Sequence, residues 1–436
     1  MDFPHGKHVL DEIFGAALRA ADPYEAVTRH LDRIAAVFSK GDFRRVFVAG
    51  FGKAVCPMAR AVEEGLPGIV ERGIVVTKYG HCTGCGFARI AVREAGHPLP
   101  DENGQKAAVE IIDLLRKADV RTLVVCLISG GGSALLVSPC EGTTLSDKQE
   151  VTGLLMKGGA DIHELNTVRK HLSGVKGGRL AEAASPASVL SLIISDVIGD
   201  DLDVIASGPT SPDGSTYSEA LSVIEKYGLR DRAPRRVIAA LERGIRGQTP
   251  ETPKTGNPLF GKVENIIVGS NRAALEAAKQ QAASLGFEAE ILSSGVRGEA
   301  REIGSGLAKK AIGIKDTKRR DKPLCLISGG ETTVTVTGNG LGGRNMELAL
   351  SFALAIEGVG GVSFLSAGTD GTDGPTDAAG AVVDGDTVRR GEKQGAVAAE
   401  YLENNDSYRY FEKAGGLLIT GPTGTNVMDV QIALLE

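Results

Sequence analysis

Hydrophobic positions follow two spacings along the chain, one typical of helices and one typical of buried strands. Residues 8–39 carry apolar side chains at helical spacing, with a break near Pro23. Farther on, an amphipathic helix is predicted over residues 101–117, and several runs are continuously apolar: RRVFVAG, GIVVTK, TLVVCLIS and SVLSLIISD. Continuous apolar strands that alternate with helices predict an α/β fold, with a parallel sheet covered on both faces.

A second set of strands follows a stretch that is rich in proline, glycine and threonine. This stretch, residues 243–261, reads RGIRGQTPETPKTGNPLFG and has the composition of a linker. After it, the predicted strands are ENIIVGSN, FEAEILSS, PLCLISGG, TTVTVTG, VSFLSAG and GGLLITG. Because 436 residues are too many for one ordinary core, we predict two α/β domains, residues 1–245 and 263–436, joined by a linker at 246–262. The last run, MDVQIALLE, is compatible with either sheet.

Composition and charge narrow the classes of function. The formal net charge is −6, and aromatic residues make up 4% of the chain, with no tryptophan. Nucleic-acid binders are more often basic and use aromatic platforms for bases, so we expect no nucleic-acid partner. A small anionic substrate remains compatible, because its binding depends on local lysine and arginine residues. No run is apolar enough to cross a bilayer, and the N-terminus lacks a signal-peptide pattern, so we expect a cytoplasmic protein that does not bind membranes.

The six cysteines show no pattern of a disulfide framework. Cys56, Cys126 and Cys325 lie in apolar segments and are predicted to be small buried hydrophobic residues. Cys82 and Cys85 form a lone CxxC pair, which is weak evidence for zinc without a second pair. Their role stays open.

Two glycine-rich turns follow predicted strands, and the letters CLISGG occur in both halves of the chain. In AGFGKAV, Gly50 and Gly52 let the backbone approach a phosphate, and Lys53 adds a mobile positive charge. The turn is not a Walker A loop, because Ala54 stands where a hydroxyl residue would hold magnesium. Val55 at the third glycine position also makes it a poor dinucleotide fingerprint. The alternative is a tight turn with a solvated lysine.

The segment SGGGS is a stronger candidate for an anion cradle. Three glycines between two serines offer free N–H groups and two hydroxyls in one turn. The candidate residues are Ser129, Gly130, Gly131, Gly132 and Ser133. The alternative is a flexible turn without a ligand.

A basic helical face is predicted in HELNTVRKHLSGVKGGRLAEAA, residues 163–184. Asn166, Arg169, Lys170 and Ser173 share one face at helical spacing. Such a face in an acidic protein suits a phosphate or carboxylate ligand, although charges more often lie on a solvated surface.

Carboxylates follow two of the predicted strands. Asp196, at a strand tip, and Asp200 are placed like metal ligands or proton acceptors, and Ser207 lies in a nearby turn. Asp370 belongs to a second acidic segment, SAGTDGTDGPTDAAGAVVD. This segment is not an EF-hand, but Mg²⁺ with bound phosphates needs only one or two carboxylates.

The segment GLGGRNMELAL places Arg344 and Asn345 at a predicted helix start. An arginine in this position suits bidentate binding of phosphate or carboxylate. The alternative is a capping loop with an exposed arginine.

Taken together, these motifs resemble the class II glycerate kinases, the family with a C-terminal MOFRL domain. The similarity runs along nearly the whole chain. Its markers are GFGKA, KYGH, GHPLPDENG, LISGGGSALL, LNTVRKHLSGVKGGRLA, ISDVIGDDLDVIASGPT, VGSN, ISGGETTVTV, GLGGRNMELAL, SAGTDGTDGPTDAAGA and TGPTGTNVMD.

The resemblance implies ATP-dependent phosphorylation of D-glycerate to 2-phosphoglycerate, with Mg²⁺ or a similar divalent ion. It implies an N-terminal Rossmann-like domain, a smaller MOFRL domain and an active-site cleft between them. Lys53 and Arg344 are the implied catalytic residues, expected to meet the transferring group when the domains close. Asp196 is expected to act on the acceptor hydroxyl or to hold the metal. Further binding candidates within the markers are Ser270, Asn271 and Glu331.

Two other functions remain open at this point. A hydroxypyruvate reductase would use NAD(P)H, against which the weak dinucleotide fingerprint counts. A non-catalytic protein that binds sugar acids would also use glycine turns and basic residues. The expected partners of the kinase are D-glycerate and ATP, with the chain as a monomer or a homodimer.

Overall fold

The computed structural model describes residues 2–82, 86–317 and 322–436, which form two compact units. The first unit is Pro23–Val268, and the second is Met1–Asp22 together with Gly269–Glu436. Each unit contains one six-stranded sheet.

Helices and strands alternate through most of the chain. The helices are α1 Phe3–Ala20, α2 Pro23–Thr28, α3 Leu31–Lys40, α4 Val55–Gly65, α5 Glu102–Leu115, α6 Gly132–Leu135, α7 Leu145–Lys157, α8 Ile162–His171, α9 Arg179–Ala184, α10 Tyr217–Lys226, α11 Arg235–Ile245, α12 Asn271–Ser284, α13 Ala300–Thr317, α14 Arg344–Ala355, α15 Thr387–Lys393, α16 Ala398–Glu403 and α17 Ser407–Ala414. The strands are β1 Arg45–Phe51, β2 Val70–Lys78, β3 Ile90–Ala95, β4 Thr122–Ile128, β5 Ser188–Ile194, β6 Val263–Gly269, β7 Glu288–Val296, β8 Leu324–Gly330, β9 Val362–Gly368, β10 Gly380–Asp384, β11 Leu417–Leu418 and β12 Asp429–Leu435. None of these helices, within the described ranges, has the length and apolar character needed to span a membrane.

The first sheet has the strand order β3-β2-β1-β4-β5-β6, the order of a Rossmann-like fold. The pairs that join β1 to β5 are all parallel, so the predicted parallel sheet is confirmed. Helices cover the sheet, so apolar side chains on its strands are buried. For example, Phe47, Val124 and Val189 lie in one core with Ile111 of α5. The strand order reverses between β1 and β4, and ligands bind at the carboxyl ends of strands beside such a reversal.

The second sheet is mixed, with the order β11-β10-β9-β12-β8-β7. The last run of the chain, β12, lies in its middle and pairs antiparallel with β8 and β9. Its apolar side chains complete a core with α13 and α14, in which Phe352 and Phe364 stack at a centroid distance of 3.8 Å. The sequence alone did not show which sheet this run joins. Its pairing with β8 and β9 places it in the second sheet.

The chain passes between the units at other positions than the predicted linker. Strand β6 belongs to the first sheet, beside β5, instead of opening the second domain. Asn265 on β6 hydrogen-bonds Thr210 of the same unit, through its Nδ2 to the carbonyl (3.0 Å) and its Oδ1 to the hydroxyl (2.7 Å). The division therefore lies at Val268–Gly269, and residues 1–22 are grouped with the second unit. The predicted boundary differs from the observed one because the apolar strand β6 buries more surface when it pairs with β5 at the edge of the first sheet.

Some local predictions differ from the structure. The run TTVTVTG is not a strand, since only Thr333 forms an isolated bridge, to Glu299. The Glu299 carboxylate instead accepts from the N–H and hydroxyl of Thr335, which replaces strand pairing. The predicted helical region 8–39 contains three helices, and the short strands β3 and β10 were not predicted.

The cysteines also differ in part from expectation. Cys56 is buried as predicted, but it forms a disulfide bond with Cys82. Cys126 and Cys325 are free and buried, and burial raises the pKa of each thiol to about 12. Cys85, the other half of the CxxC pair, lies outside the described residues.

A buried ion-pair network anchors α8 in the first unit. Lys170, only 3% exposed, donates to Asp203 (3.1 Å) and to the fully buried Asp213 (3.2 Å). Asp213 also accepts from Ser215 and Thr252. Lys170 was predicted to bind phosphate, but its charge is neutralised by two acids of its own unit.

We expect Lys170→Met to lower the free energy of unfolding by roughly 3–5 kcal/mol, because it leaves a buried carboxylate without its partner. Urea unfolding followed by circular dichroism would measure the loss. The control is Lys157→Met, at an exposed lysine of α7, which should change stability little. Equal stability of both variants would contradict a structural role for Lys170.

Candidate active site

The turns that follow β1 and β4 lie in direct contact at the centre of the first sheet. Gly52 has a φ of 134°, and a side chain there would overlap Ser129. The N–H of Lys53 donates to the Gly130 carbonyl (2.9 Å), and the N–H of Ala54 donates to the Ser129 hydroxyl (3.1 Å). The second turn therefore holds the backbone on both sides of the Lys53 side chain.

This contact decides which N–H groups are available to an anion. The N–H groups of Lys53 and Ala54, predicted to face a phosphate, are already donated to the neighbouring turn. Those of Gly130 and Gly131 make no hydrogen bond within the described part of the chain. The SGGGS turn is therefore the better anion cradle of the two.

Lys53 and His97 lie on either side of Gly131. A Cβ atom on Gly131 would lie 2.9 Å from His97 Nε2 and 3.3 Å from Lys53 Cγ. Lys53 makes no ion pair with any described residue, so its charge is available to a ligand. Burial, followed by the charges of Lys53, Lys78 and His81, lowers the pKa of His97 to about 4. His97 is therefore neutral at neutral pH and offers a hydrogen-bonding nitrogen.

Asp196, at the end of β5, lies against the same turn. A side chain on Gly130 would overlap the Asp196 carboxylate, so only glycine fits there. Burial raises the pKa of Asp196, and the nearby Lys53 opposes this shift. The structure thus brings together Lys53, Asp196 and the glycines, as predicted from three distant segments. Asp200, in the following turn, has no side-chain hydrogen bond within the described residues.

The other end of the SGGGS turn carries a chain of hydroxyl and amide groups. Ser133 Oγ lies 2.8 Å from Ser207 Oγ, which also donates to Asn166 Oδ1 at 2.9 Å. The backbone of Ser207 is in the left-handed region, with a φ of 63°, an uncommon conformation for serine. The buried Lys176 donates to the Ser133 carbonyl at 2.9 Å. Three predicted residues, Ser133, Asn166 and Ser207, therefore belong to one cluster.

Three other predicted residues of the first unit have different surroundings. Gly50 and Gly132 pack against apolar side chains, including Val55 and Phe51 respectively. Arg169 is partly buried on α8 and makes no ion pair within the described residues.

In the second unit, Arg344 begins α14 and binds two carboxylates. It forms a bidentate pair with Asp429 (2.6 and 2.9 Å), and its Nη1 lies 2.9 Å from Glu331. Asp429 is fully buried and opens β12 opposite Gly330 and Gly368. Burial lowers the pKa of Arg344, but the two carboxylates outweigh it and raise the value. Deleting Arg344 would leave the buried Asp429 carboxylate without its cationic partner.

A cavity of about 740 Å³ lies beside Arg344 within the second unit. Asp373 borders it and caps α14, because its carboxylate accepts the N–H groups of Asn345 (3.1 Å) and Met346 (2.8 Å). Burial raises the pKa of Asp373 to about 7 despite these bonds. The predicted residues Glu331 and Asp370 also line this cavity.

The remaining predicted residues of this unit support its framework. Ser270 caps α12 by accepting the Ala273 N–H. Asn271 donates to the carbonyls of Val427 and Asp429, each at 2.9 Å, and so holds the segment that carries the partner of Arg344. Asn345 is buried and accepts from Ser366.

The carboxylates of the candidate site suit Mg²⁺ that arrives bound to ATP, and they do not form a metal site by themselves. No group of three or more His, Cys, Asp or Glu side chains suited to a metal lies in the described ranges. Mg²⁺ bound to ATP needs only one or two protein carboxylates. Asp196 fits this requirement, since no other described side chain hydrogen-bonds its carboxylate.

Sequence reasoning missed two residues as site members, His97 and Asp429. His97 follows β3, a strand that was not predicted, and its motif GHPLPDENG entered only through the family resemblance. Asp429 precedes an apolar run, and an acid at the start of a predicted strand was the available signal.

We expect His97 to weaken the protein in acid. Its pKa is about 4 when folded and 6.5 in the reference state, so between these values only the unfolded chain binds its proton. The free energy of unfolding therefore falls as pH decreases through this window. Urea unfolding at about pH 7 and about pH 5 should show a smaller loss for His97→Gln than for the unchanged protein. The exposed His163→Gln is the control, and an equal loss in all three proteins would contradict the assignment.

Comparison with known proteins gives two family matches along the chain. The family described as "Domain of unknown function (DUF4147)" matches residues 9–242, and the MOFRL family matches residues 324–429. The second match lies in the second unit and agrees with the predicted C-terminal domain.

Full-length relatives carry more specific names. The chain is 46% identical to D-glycerate 2-kinase from Thermotoga maritima, over 98% of both chains. The crystal structure of glycerate kinase from Thermotoga maritima superposes with a TM-score of 0.90, covering 99% of both chains at 46% identity. A relative from Agrobacterium vitis, 43% identical over 98% of this chain and 94% of its own, has a provisional hydroxypyruvate reductase name. The chain belongs to the glycerate 2-kinase family, whose MOFRL domain is C-terminal.

Proposed function

We propose that this protein is a glycerate 2-kinase. It transfers the γ-phosphoryl group of ATP to the C2 hydroxyl of D-glycerate and yields 2-phosphoglycerate and ADP. The observation that carries this proposal is Lys53, which forms no ion pair with a described residue. It lies over the Gly130–Gly131 turn, beside Asp196, at the strand-order reversal of a Rossmann-like sheet. In the reaction, a bond forms between the C2 oxygen and the γ-phosphorus, and the bond from that phosphorus to the β–γ bridging oxygen breaks.

The turn and the lysine supply what phosphoryl transfer requires of a protein, which is alignment and stabilisation of charge. The free N–H groups of Gly130 and Gly131 bind phosphate oxygens, and Lys53 places its ammonium on the transferring group. Hydrogen bonds from the N–H groups of Lys53 and Ala54 to Gly130 and Ser129 fix the backbone from which this side chain extends, and a charge held at the transferring group stabilises the transition state.

Asp196 receives the proton of the acceptor hydroxyl or takes part in holding Mg²⁺ with the phosphates of ATP. Its raised pKa makes the carboxylate a better proton acceptor than an exposed aspartate. When bound, Mg²⁺ neutralises phosphate charge. His97, neutral at neutral pH, adds a hydrogen bond beside Lys53 without adding a second charge.

Arg344, in the second unit, is our candidate for binding a phosphate group there. Its two carboxylate partners have different exposure: the Asp429 side chain is 0% exposed and the Glu331 side chain is 49% exposed. A phosphate oxygen therefore replaces Glu331, while Asp429 keeps the guanidinium oriented.

The reductase function has less support. A dinucleotide turn needs a third glycine for close packing, and Val55 stands there, fully buried. The next strand, β2, ends in Lys78 instead of an acid that would bind a ribose. The N–H groups of Lys53 and Ala54, just before α4, are also donated to the neighbouring turn.

Incubation of the protein with D-glycerate, ATP and Mg²⁺ should give a phosphorus NMR signal of 2-phosphoglycerate together with ADP. A parallel sample with hydroxypyruvate and NADH or NADPH should show no loss of absorbance at about 340 nm. Reduction of hydroxypyruvate, or D-glycerate binding without formation of ADP, would contradict the proposal.

We expect Lys53→Met to lower kcat by about 10²–10³, as for the loss of a preorganised charge at a reacting group. The variant should fold normally, because Lys53 has no ion-pair partner among the described residues. Coupled ADP release measures kcat, and circular dichroism verifies the fold. Lys40→Met, at an exposed lysine of the same unit, is the control. Turnover within a few fold of the control would remove Lys53 from the mechanism.

A further inference from the structure

Three cationic side chains of the first unit lie close enough together for their charges to interact. Lys148 and Lys176 are 7% and 3% exposed, and Arg169 is partly buried. Lys148 donates to the Leu172 carbonyl (2.7 Å) and Lys176 to the Ser133 carbonyl (2.9 Å). None of the three forms an ion pair within the described ranges. We call them the cation cluster.

The cluster is electrostatically unfavourable as it stands. Burial, together with the charge of Arg169, lowers the pKa of Lys148 to about 7, although the Cys140 thiol opposes the shift. Burial, then Lys148 and Arg169, also lower the pKa of Lys176. Buried charges are normally paired, and perturbed groups that share a site are typical of binding sites.

Lys170, the buried lysine next to Arg169, is paired with acids, unlike the cation cluster. Lys170 follows Arg169 directly, yet it binds Asp203 and Asp213. The cation cluster differs because acids surround Lys170 but not the other three. Its missing counter-charge is therefore a feature of this location, not of the whole helix.

The cluster adjoins the candidate active site through one turn. Lys176 holds the carbonyl of Ser133, the last residue of SGGGS, whereas Lys53 lies over Gly131 of the same turn. The acceptor carries a carboxylate on the carbon next to its reacting hydroxyl. A ligand whose hydroxyl meets the Gly131 end therefore directs its carboxylate along the turn.

We propose that Lys148, Arg169 and Lys176 form the pocket that binds the carboxylate of the hydroxy-acid acceptor. The assignment rests on the proposed function, which makes D-glycerate the acceptor. Arg169 supplies a fork that matches a carboxylate, and the two lysines add point charges. The pocket then selects acids over uncharged polyols, because only an anion compensates the three cations.

Calorimetric titration of D-glycerate tests this assignment, with the unchanged protein as the parent and without ATP, so that no transfer occurs. Arg169→Gln and Lys176→Met in this parent should each weaken binding roughly 10- to 100-fold, the usual effect of losing a hydrogen bond to a charged group. Lys157→Met, on the exposed side of α7, is the matched control and should bind like the parent.

Proton uptake separates ligand binding from a structural role. A bound carboxylate raises the pKa of Lys148 from about 7, so at slightly alkaline pH the complex takes up a proton. The binding enthalpy should therefore differ between HEPES and Tris buffers, and Lys148→Met should remove this difference.

Unchanged D-glycerate affinity in Arg169→Gln and Lys176→Met would overturn the assignment. In enzyme with Lys53 intact, Arg169→Gln should raise KM for D-glycerate and leave KM for ATP unchanged; a rise in KM for ATP alone would assign the pocket to the donor. Cluster-dependent binding without any 2-phosphoglycerate would sustain the pocket while the proposed reaction fails.

Discussion

The contact between the turns after β1 and β4 organises the first unit's site. Because Gly52 has no side chain, its turn packs on Ser129, and the N–H groups of Lys53 and Ala54 donate into the second turn. This contact places the Lys53 side chain over Gly131, and the N–H groups of Gly130 and Gly131 donate to no other described residue. A larger residue at position 52 would separate the turns and remove the cradle and the lysine geometry together.

Charge compensation distinguishes cations that hold the fold from cations that are available to ligands. Lys170 and Arg169 are adjacent on α8, yet Lys170 lies between two carboxylates and Arg169 lies near two lysines. Arg344 combines both situations, with one fully buried and one half-exposed carboxylate. Whether a buried cationic side chain stabilises the fold or is available to bind a ligand therefore depends on the charges packed around it.

Local pattern predicted most of the long buried strands and failed where pairing was decided by distant neighbours. The run TTVTVTG has strong strand propensity, but the Glu299 carboxylate takes the Thr335 N–H that a sheet partner would need. Strand β6 was assigned to the second domain because it follows a proline-rich stretch, yet it extends the first sheet. Propensity describes a segment alone, whereas sheet membership depends on which edge has room for it.

The amino-acid sequence by itself determined the α/β class and the two glycine turns. It also gave Lys53 and Arg344, through the family resemblance, and Asp196, from its place at a strand tip, as catalytic candidates. The fold class and the glycine turns can be predicted because apolar runs and glycines indicate them within short segments of the chain. Only the tertiary structure decided which charges are paired, since the partners are remote: Arg344 and Asp429 are 85 positions apart, and Lys170 and Asp213 are 43 apart. Coulomb energy depends on distance in space and on burial, and neither quantity can be read from spacing along the chain.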